Sequence, residues 1–338
     1  MQQHPQMVSA MAASPRNFHT AGMPRQWAKS GPSKAANLHL ANLWYGGAMR
    51  ALLLAFLTLL HTAAAVQLPF STTFKGTSRF NRLVAEAQAE NWRALPIGER
   101  TAQVGMALLG TPYVNYTLEI DDFIEAPSVN LNGMDCWTFY EISLAFARMI
   151  KQKPVGATPQ DLLRYVELER YRGGRCTGSY LSRMHFLEEV FYDNSRRGLS
   201  TNPTQSLGGV RIKRNITEMT AAWRTYRYLR ADRSLLRGMA EIQNRVSALP
   251  VYYIPKSRVA SVEKYLRNGD IIAIVSGDKS GYTSHVGMAV KRSDGTHFMH
   301  ATSNRSRGRK VILDGRISDY LYRSSDHIGI IVYRPQDV

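Results

Sequence analysis

One segment, residues 135–150 with the sequence DCWTFYEISLAFARMI, constrains the fold of this 338-residue chain more than any other. Its apolar side chains have helical spacing, but they lie nearly all round the helix that they predict. Such a helix is buried on every side, because it has no polar face to turn to water. The chain must therefore place this helix at its centre and cover it with other elements.

Cys136 stands at the start of the predicted helix and is one of two cysteines in the chain, the other being Cys176. Asp135 is a favoured N-cap residue, so the thiol falls in the first helical turn. Free backbone N–H groups and the positive end of the helix dipole favour a thiolate there, and the same groups suit an oxyanion. The residues alone leave a second interpretation open, in which Cys136 is a buried apolar side chain.

Residues 49–65, MRALLLAFLTLLHTAAA, have the anatomy of a secretory signal peptide, with one basic residue, a short apolar core and small residues after it. The apolar core is too short for a comfortable membrane span. Residues 1–48 contain no acidic side chain, and we interpret them as disordered or as lying upstream of a true start at Met49. An apolar first helix of a cytoplasmic protein is the alternative. We expect a mature chain of residues 66–338, periplasmic or secreted.

The net positive charge of the chain limits the classes of partner that it is expected to bind. Residues 1–65 contain five basic and no acidic side chains, so twelve of the 17 net positive charges remain without them. A basic exported protein suits a polyanionic surface such as a bacterial cell envelope. The basic residues are scattered and accompany no nucleic-acid motif, so we expect no nucleic-acid partner. In an oxidising compartment Cys136 and Cys176 could form a disulfide, which is the alternative to two free thiols.

Helical patterns come before strand patterns along the chain. Helical spacing of apolar residues predicts helices at residues 80–92, 97–110, 136–150, 179–192 and 217–229. Runs of β-branched and aromatic residues predict strands at 251–254, 270–277, 285–291, 297–302 and 327–335. Helices followed by an antiparallel sheet, without an internal repeat or linker, predict a single α+β domain.

Two histidines fall on consecutive predicted strands. His285 lies near the start of one strand and His300 lies on the next. A base within reach of a thiol, with a third group that orients the base, is the arrangement of nucleophilic catalysis. One strand histidine alone is more often structural. Together with a cysteine at a helix start, the pair favours a catalytic site.

These blocks resemble a known family. The order DCWTF, GDIIAIV, SHVGMAV and MHATS resembles the NlpC-type papain-like cysteine peptidases that cut bacterial peptidoglycan. With LLGTPYVNYTLE and SYLSRMHFLEEV, the chain is more closely similar to the N-acetylmuramoyl-L-alanine amidase-like family within that fold. The likeness runs from about residue 100 to the C-terminus. It implies a nucleophile-bearing helix packed on an antiparallel sheet, with extra helices in the middle of the chain.

The resemblance also implies roles for individual residues. Cys136 would be the nucleophile, His285 the general base and later the acid, and His300 the residue that holds the imidazole. Tyr113 would lie beside the cysteine and donate its hydroxyl toward an oxyanion.

A second block, SRxH, would hold substrate. Its members here are Ser182, Arg183 and His185, and the guanidinium of Arg183 suits a carboxylate. A structural hydrogen-bond network is the alternative for Arg183 and His185. Cys176 stands just upstream, where it would be either a reversible lock on Cys136 or simply a packed side chain.

The spacing of the two histidines poses a geometric problem. If Asp294 and Gly295 form a two-residue hairpin turn, His300 falls opposite Ala289, four residues beyond His285, or about 13 Å at strand rise. A base and the group that orients it need a separation of about 3 Å. We therefore expect a longer loop or a bulge between the strands. With the tight turn, Asn304 would be the rival third residue.

The expected function is that of an exported cysteine hydrolase of peptidoglycan that uses no cofactor or metal. The family name points to the amide between N-acetylmuramic acid and L-alanine, cleaved through a thioester. An endopeptidase that cuts within the stem peptide and a non-catalytic envelope-binding protein on the same fold are the alternatives. The expected partners are peptidoglycan or muropeptide fragments, and no integral membrane span is expected once the signal peptide is removed.

Overall fold

A long buried helix and the antiparallel sheet against which it packs organise residues 67–337, the part of the chain that the computed structural model describes. The helices are α1 (Phe70–Thr73), α2 (Thr77–Ala89), α3 (Ile97–Ala107), α4 (Cys136–Gln152), α5 (Pro159–Arg170), α6 (Leu187–Arg196), α7 (Glu218–Ala221), α8 (Arg227–Ala231), α9 (Leu235–Ala248), α10 (Lys256–Val262) and α11 (Ile317–Tyr322). The strands are β1 (Phe74–Lys75), β2 (Val129–Asn130), β3 (Ser200–Thr201), β4 (Val210–Arg211), β5 (Tyr252–Pro255), β6 (Ile271–Ser276), β7 (Thr283–Arg292), β8 (Gly295–Ala301), β9 (Val311–Arg316) and β10 (His327–Pro335). The signal-peptide and upstream-start predictions concern residues outside this range.

Helix α4 is the predicted central helix. Every residue from 138 to 150 is buried, and the helix packs against α3, α5 and strands β7 and β8. A capping box fixes its start: the Asp135 side chain accepts from the Thr138 N–H at 2.8 Å, and the Thr138 hydroxyl accepts from the Asp135 N–H at 3.0 Å. The prediction of a buried helix that begins at Cys136 is confirmed.

Helix α4 also buries charge, which its apolar spacing does not reveal. Glu141 forms a pair with Arg170 of α5, and both side chains are at most 2% exposed. Arg148, two turns further on, pairs with Glu169 of α5. Because each charge has an opposite partner and hydrogen bonds, its burial is tolerated. These pairs bind α4 to α5 at two levels.

The main sheet is antiparallel, in the order β4-β5-β10-β6-β7-β8-β9, with β3 also pairing with β10. One face packs on α3 and α4 through residues such as Val286, Met288 and Met299. The other face, with Ile274 and Phe298, is covered by α10 and α11. The five predicted strands are all present, and the mixed α/β architecture with an antiparallel sheet agrees with the expected fold class. Among residues 67–337, no helix is long and apolar enough to cross a membrane.

Two predicted helices are wrong in detail. Residues 179–192 form a short 3₁₀ turn, Tyr180–Ser182, then extended backbone, and only then α6. The extended backbone at Arg183 bridges to Tyr171 and turns the guanidinium inward. Residues 217–229 divide into α7, a 3₁₀ turn and part of α8, with extended backbone at Tyr226. In both segments tertiary contacts outweigh local helical propensity.

Candidate active site

The thiol of Cys136 lies where the start of α4 meets strand β7. The backbone N–H groups of Val286, Trp137 and Cys136 itself lie close enough to the sulfur to lower the pKa of its thiol. Val286 immediately follows His285, so the predicted base lies on the strand that contacts α4. The predicted position of the thiol at the first turn of a buried helix is therefore observed.

The electrostatics of the thiol differ from the prediction. The pKa of Cys136 is raised to about 12, because burial and, to a smaller extent, the negative charge of Asp135 raise it by more than the three backbone N–H groups lower it. The prediction that the helix start leaves the thiol with a low pKa is wrong, because burial and the capping carboxylate outweigh the helix dipole. The thiol is protonated at neutral pH, so it needs a base when it attacks.

The hairpin of β7 and β8 brings the two histidines together without a bulge. Arg292 pairs with Gly295, so the turn is Ser293-Asp294, one residue earlier than predicted. The register then runs without a shift to Met288 opposite Met299, and the next step places His300 beside Gly287. His300 is thus a diagonal neighbour of His285 on the same face of the sheet, within reach of an aromatic side chain. The expected longer loop or bulge between these strands is wrong.

The two imidazoles form a hydrogen bond. Nε2 of His285 lies 2.7 Å from Nδ1 of His300. A glycine is needed beside them, because a Cβ on Gly287 would lie 2.5 Å from the Met299 carbonyl oxygen and 2.8 Å from the His300 Cβ. Because Nε2 of His285 takes part in this bond, a proton from a thiol would have to go to Nδ1.

Asp314 on β9 contacts the ring nitrogen of His300 that does not face His285. The sequence did not lead us to predict this residue. Its Oδ2 lies 3.5 Å from Nε2 of His300, and Arg307 and Arg323 pair with it at 2.7 and 2.6 Å. Burial alone would raise the pKa of this carboxyl, but hydrogen bonds from His300 and Arg323 hold it well below its usual range. Burial lowers the pKa of His300, which is therefore neutral.

The carboxylate determines the direction of the hydrogen bonds. A neutral His300 that donates from Nε2 to Asp314 must accept at Nδ1 from the Nε2–H of His285. This leaves the lone pair of His285 on Nδ1. Asn304, the rival third residue, does not take this place: its side chain accepts hydrogen bonds from the N–H and hydroxyl of Ser306. The only sequence signal for Asp314 was a carboxylate in the middle of the strand VILDGR.

Two tyrosines line the thiol. Burial, Cys136 and Asp135 raise the pKa of Tyr113, and its backbone bridges to Met134, two residues before the cysteine. Tyr320 of α11 stacks on His285 with 6.0 Å between ring centroids, and its own pKa is raised by burial and by Cys136. Both hydroxyls are thus protonated at neutral pH.

The SRxH block has the contacts of the structural alternative. Arg183 is 4% exposed; it donates to the Leu118 carbonyl at 2.9 Å and lies 3.7 Å from the carboxylates of Glu119 and Glu125. His185 hydrogen-bonds the Tyr180 carbonyl at 3.0 Å, and burial lowers its pKa well below the usual value.

The rest of that block is also engaged within the protein. Ser182 donates to the Ser179 carbonyl at 2.7 Å. The Cys176 thiol contacts the Glu125 carbonyl at 3.4 Å. Both cysteines are free, so the disulfide considered from the sequence is not formed. Among residues 67–337, no three His, Cys, Asp or Glu side chains are grouped as metal ligands would be.

Comparison with known proteins places the chain in a family. The model of the N-acetylmuramoyl-L-alanine amidase-like (AmiA-like) family matches residues 103–330, well over half of the sequence. The chain belongs to this family. Its matched range contains Cys136, His285, His300 and Asp314. No curated protein matches the chain.

Solved structures extend the comparison. The chain is 26% identical to an N-acetylmuramoyl-L-alanine amidase from Bacteroides uniformis, with a TM-score of 0.65 over 71% of this chain and 99% of that one. A Bacteroides fragilis protein provisionally named a xylanase is 29% identical, with a TM-score of 0.63 over 69% of this chain and 99% of that one. A Legionella pneumophila protein with 18% identity and a TM-score of 0.56, over 77% of this chain and 97% of that one, shares the fold.

Proposed function

We propose that this chain is an exported peptidoglycan hydrolase that cleaves the amide between N-acetylmuramic acid and L-alanine through a thioester on Cys136. The observation that carries the proposal is the 2.7 Å hydrogen bond between His285 and His300 on strands beside the helix start that bears the thiol. Family membership and the amidase from Bacteroides uniformis support the choice of substrate. The helix start against an antiparallel sheet supports a papain-like arrangement, as in NlpC-type peptidases.

The first half of the reaction follows from the proton positions. Nδ1 of His285 takes the proton of Cys136 as the sulfur attacks the lactyl carbonyl carbon, so the high thiol pKa is overcome only at the moment of attack. The oxyanion that forms is met by the backbone N–H groups of the helix start and the Tyr113 hydroxyl. His300 and the ionised Asp314 stabilise the imidazolium and hold its ring plane.

The second half returns the enzyme to its starting state. The imidazolium gives its proton to the nitrogen of L-alanine, the carbon–nitrogen bond breaks, and the stem peptide leaves with a free amine. His285 then takes a proton from water, whose oxygen attacks the thioester. The carbon–sulfur bond then breaks as the imidazolium returns its proton to the sulfur, and the new carboxylic acid loses its proton to water. The products are a free lactyl carboxylate on the sugar and the regenerated thiol.

Export is the second part of the proposal. Residues 49–65 have the pattern of a signal peptide, and peptidoglycan lies outside the cytoplasmic membrane. N-terminal sequencing of protein recovered from the periplasm or medium tests this part. A mature N-terminus near Val66 is expected, and an uncleaved cytoplasmic chain would contradict export.

The activity is tested by digesting purified muropeptides and reading the products by mass. Wild type and Cys176→Ala should both release an intact stem peptide with an N-terminal L-alanine, and Cys136→Ala should release none. Shortened stem peptides would overturn the proposed bond in favour of an endopeptidase. If wild type released no product but sedimented with sacculi, the protein would be a binder on this fold.

A further inference from the structure

The loop between β8 and β9, residues 303–310 with the sequence SNRSRGRK, carries four basic side chains. It is tied to the segment that carries Tyr113: the Tyr113 N–H donates to the Arg309 carbonyl at 2.8 Å, and Lys310 bridges to Pro112. The loop therefore stands at a fixed place next to Tyr113, which itself bridges to Met134, two residues before Cys136.

Arg309 is held in an unusual backbone conformation at this place. Its φ of +47° is in the left-handed region, which costs a residue with a Cβ about 1–2 kcal/mol. Two hydrogen bonds maintain it, one from Tyr113 to the Arg309 carbonyl and one from the Arg309 N–H to the Asn304 carbonyl at 3.2 Å. The guanidinium carbon then lies over the Tyr113 ring, 5.9 Å from its centroid. Such strain is typically retained where it positions a functional group.

Within the described part of the protein, the Arg309 guanidinium contacts the Tyr113 ring but pairs with no carboxylate. Arg307, two residues earlier, is neutralised by Asp314. By contrast, no carboxylate of residues 67–337 forms an ion pair with Arg305, Arg309 or Lys310. Arg309 differs from the other two in being partly buried and in contacting Tyr113. A partly buried guanidinium without a carboxylate partner, next to the candidate oxyanion donor Tyr113, can bind a carboxylate.

We propose that Arg309 is an anion subsite that binds a carboxylate of the stem peptide, and so selects substrates with an acidic peptide next to the scissile amide. The proposal rests on the proposed function for the identity of the anion. In that substrate the lactyl carboxyl is consumed in the scissile amide, so the free carboxylates belong to the peptide. Tyr113, between Arg309 and Cys136, separates the anion from the reacting carbonyl.

The subsite itself can be tested without any amidase activity. In a Cys176→Ala background, Cys136 is alkylated with anionic iodoacetate and with neutral iodoacetamide, and the ratio of the two rates is measured. Any change in thiol pKa cancels in this ratio. Arg309→Gln should lower the ratio about 5- to 10-fold at low salt, whereas Arg305→Gln on the same loop should leave it nearly unchanged. Arg309→Asn, which tolerates the left-handed region, is a second neutral variant, and Arg309→Lys should keep most of the preference.

An unchanged ratio in both neutral Arg309 variants would overturn the subsite, and an equal fall in Arg305→Gln would show a general field of the loop instead. The substrate is tested separately with a muropeptide and the same muropeptide with its carboxyls converted to amides. Arg309→Gln should raise KM about 10-fold for the acid and leave KM for the amide and kcat for both unchanged. If wild type cleaved neither while the alkylation ratio fell as expected, the proposed function would fail and the anion subsite would stand.

Discussion

Asp135 acts on Cys136 in two opposed ways. Its side chain caps α4 and so fixes the backbone N–H groups that lower the pKa of the thiol. Its charge, next in effect to burial, raises the pKa of the same thiol. The residue therefore builds the helix start that would bind an oxyanion while it keeps the resting thiol protonated. A protonated resting thiol is protected from oxidants, which attack the thiolate.

Asp135→Asn separates these two effects. Asparagine caps a helix as well as aspartate does, so the start of α4 should be retained while the negative charge is lost. The pKa of Cys136 should fall, and iodoacetamide should alkylate the thiol about 3- to 10-fold faster at pH 8 in a Cys176→Ala background. Asp161→Asn, a capping-box carboxylate of α5, is the matched control and should not change the rate. Equal rates for wild type and Asp135→Asn would contradict the assigned charge effect.

At the scale of elements, helices α4 and α5 are joined by a buried ion pair that contacts the residue next to the thiol. Trp137, next to the thiol, donates from its indole nitrogen to Glu141 at 3.3 Å. The other oxygen of Glu141 accepts from Nε of Arg170 at 2.9 Å, and Arg170 also donates to Ser128. The buried carboxylate of Glu141 thus ties the first turn of α4 to α5. Arg170 in turn ties α5 to Ser128, which directly precedes β2. Loss of the Glu141 carboxylate would disturb both stability and the position of the thiol.

Glu141→Gln should destabilise the protein by about 3–5 kcal/mol, because Arg170 remains charged and buried without a counter-ion. The free energy of unfolding from urea denaturation at pH 7 measures this. The double variant Glu141→Leu with Arg170→Met should recover most of the loss, since removing both charges leaves none unpaired. Glu241→Gln, in the exposed pair with Arg237 on α9, is the control and should change little. A small loss in Glu141→Gln alone would mean that water reaches this pair.

The elements of the site differ in how far local sequence determines them. The spacing of residues 136–150 predicts α4 because burial on all sides leaves a continuous apolar pattern. The hairpin of β7 and β8 is predictable as a hairpin, but a turn shifted by one residue moves His300 from Ala289 to Gly287. Asp314 could not be found locally, because its partners Arg307, Arg323 and His300 meet only in the folded sheet. Arg183 has the residue type of a ligand, yet distant carboxylates engage it.

At the scale of the whole molecule, the candidate site lies where α4, the β7–β8 hairpin and the β8–β9 loop converge. Several buried carboxylates elsewhere in the described part of the protein carry no catalytic role in the proposal. Glu188 of α6 is the clearest of them: it is 5% exposed, and its Oε1 has no hydrogen-bond partner among the described residues. Thr283, two positions before His285, lowers the pKa of Glu188. The charge state of Glu188 thus couples α6 to the start of β7.

Stability should therefore depend on pH through Glu188. The pKa of Glu188 is raised from 4.5 to about 7, chiefly by burial. The backbone N–H of Glu188, Thr283 and Arg214 lower this pKa, and Glu218 raises it, each by less than burial does. Because the folded carboxyl has the higher pKa, the folded protein binds more protons than the unfolded chain between about pH 4.5 and 7. The free energy of unfolding must then fall as the pH rises through that interval, by about 2–3 kcal/mol from this group.

Glu188→Gln keeps the shape of the side chain and removes its ionisation. Wild type and variant should have similar free energies of unfolding at pH 4.5, while the variant should be more stable by about 2–3 kcal/mol at pH 8, where wild type must bury a charge. Urea denaturation at the two pH values measures the difference, and Glu241→Gln, an exposed carboxylate, corrects for general effects. The other titrating groups are common to both proteins and cancel. A variant that is less stable than wild type at pH 8 would show that the ionised carboxylate is bound in the native fold, and would assign Glu188 a cationic partner.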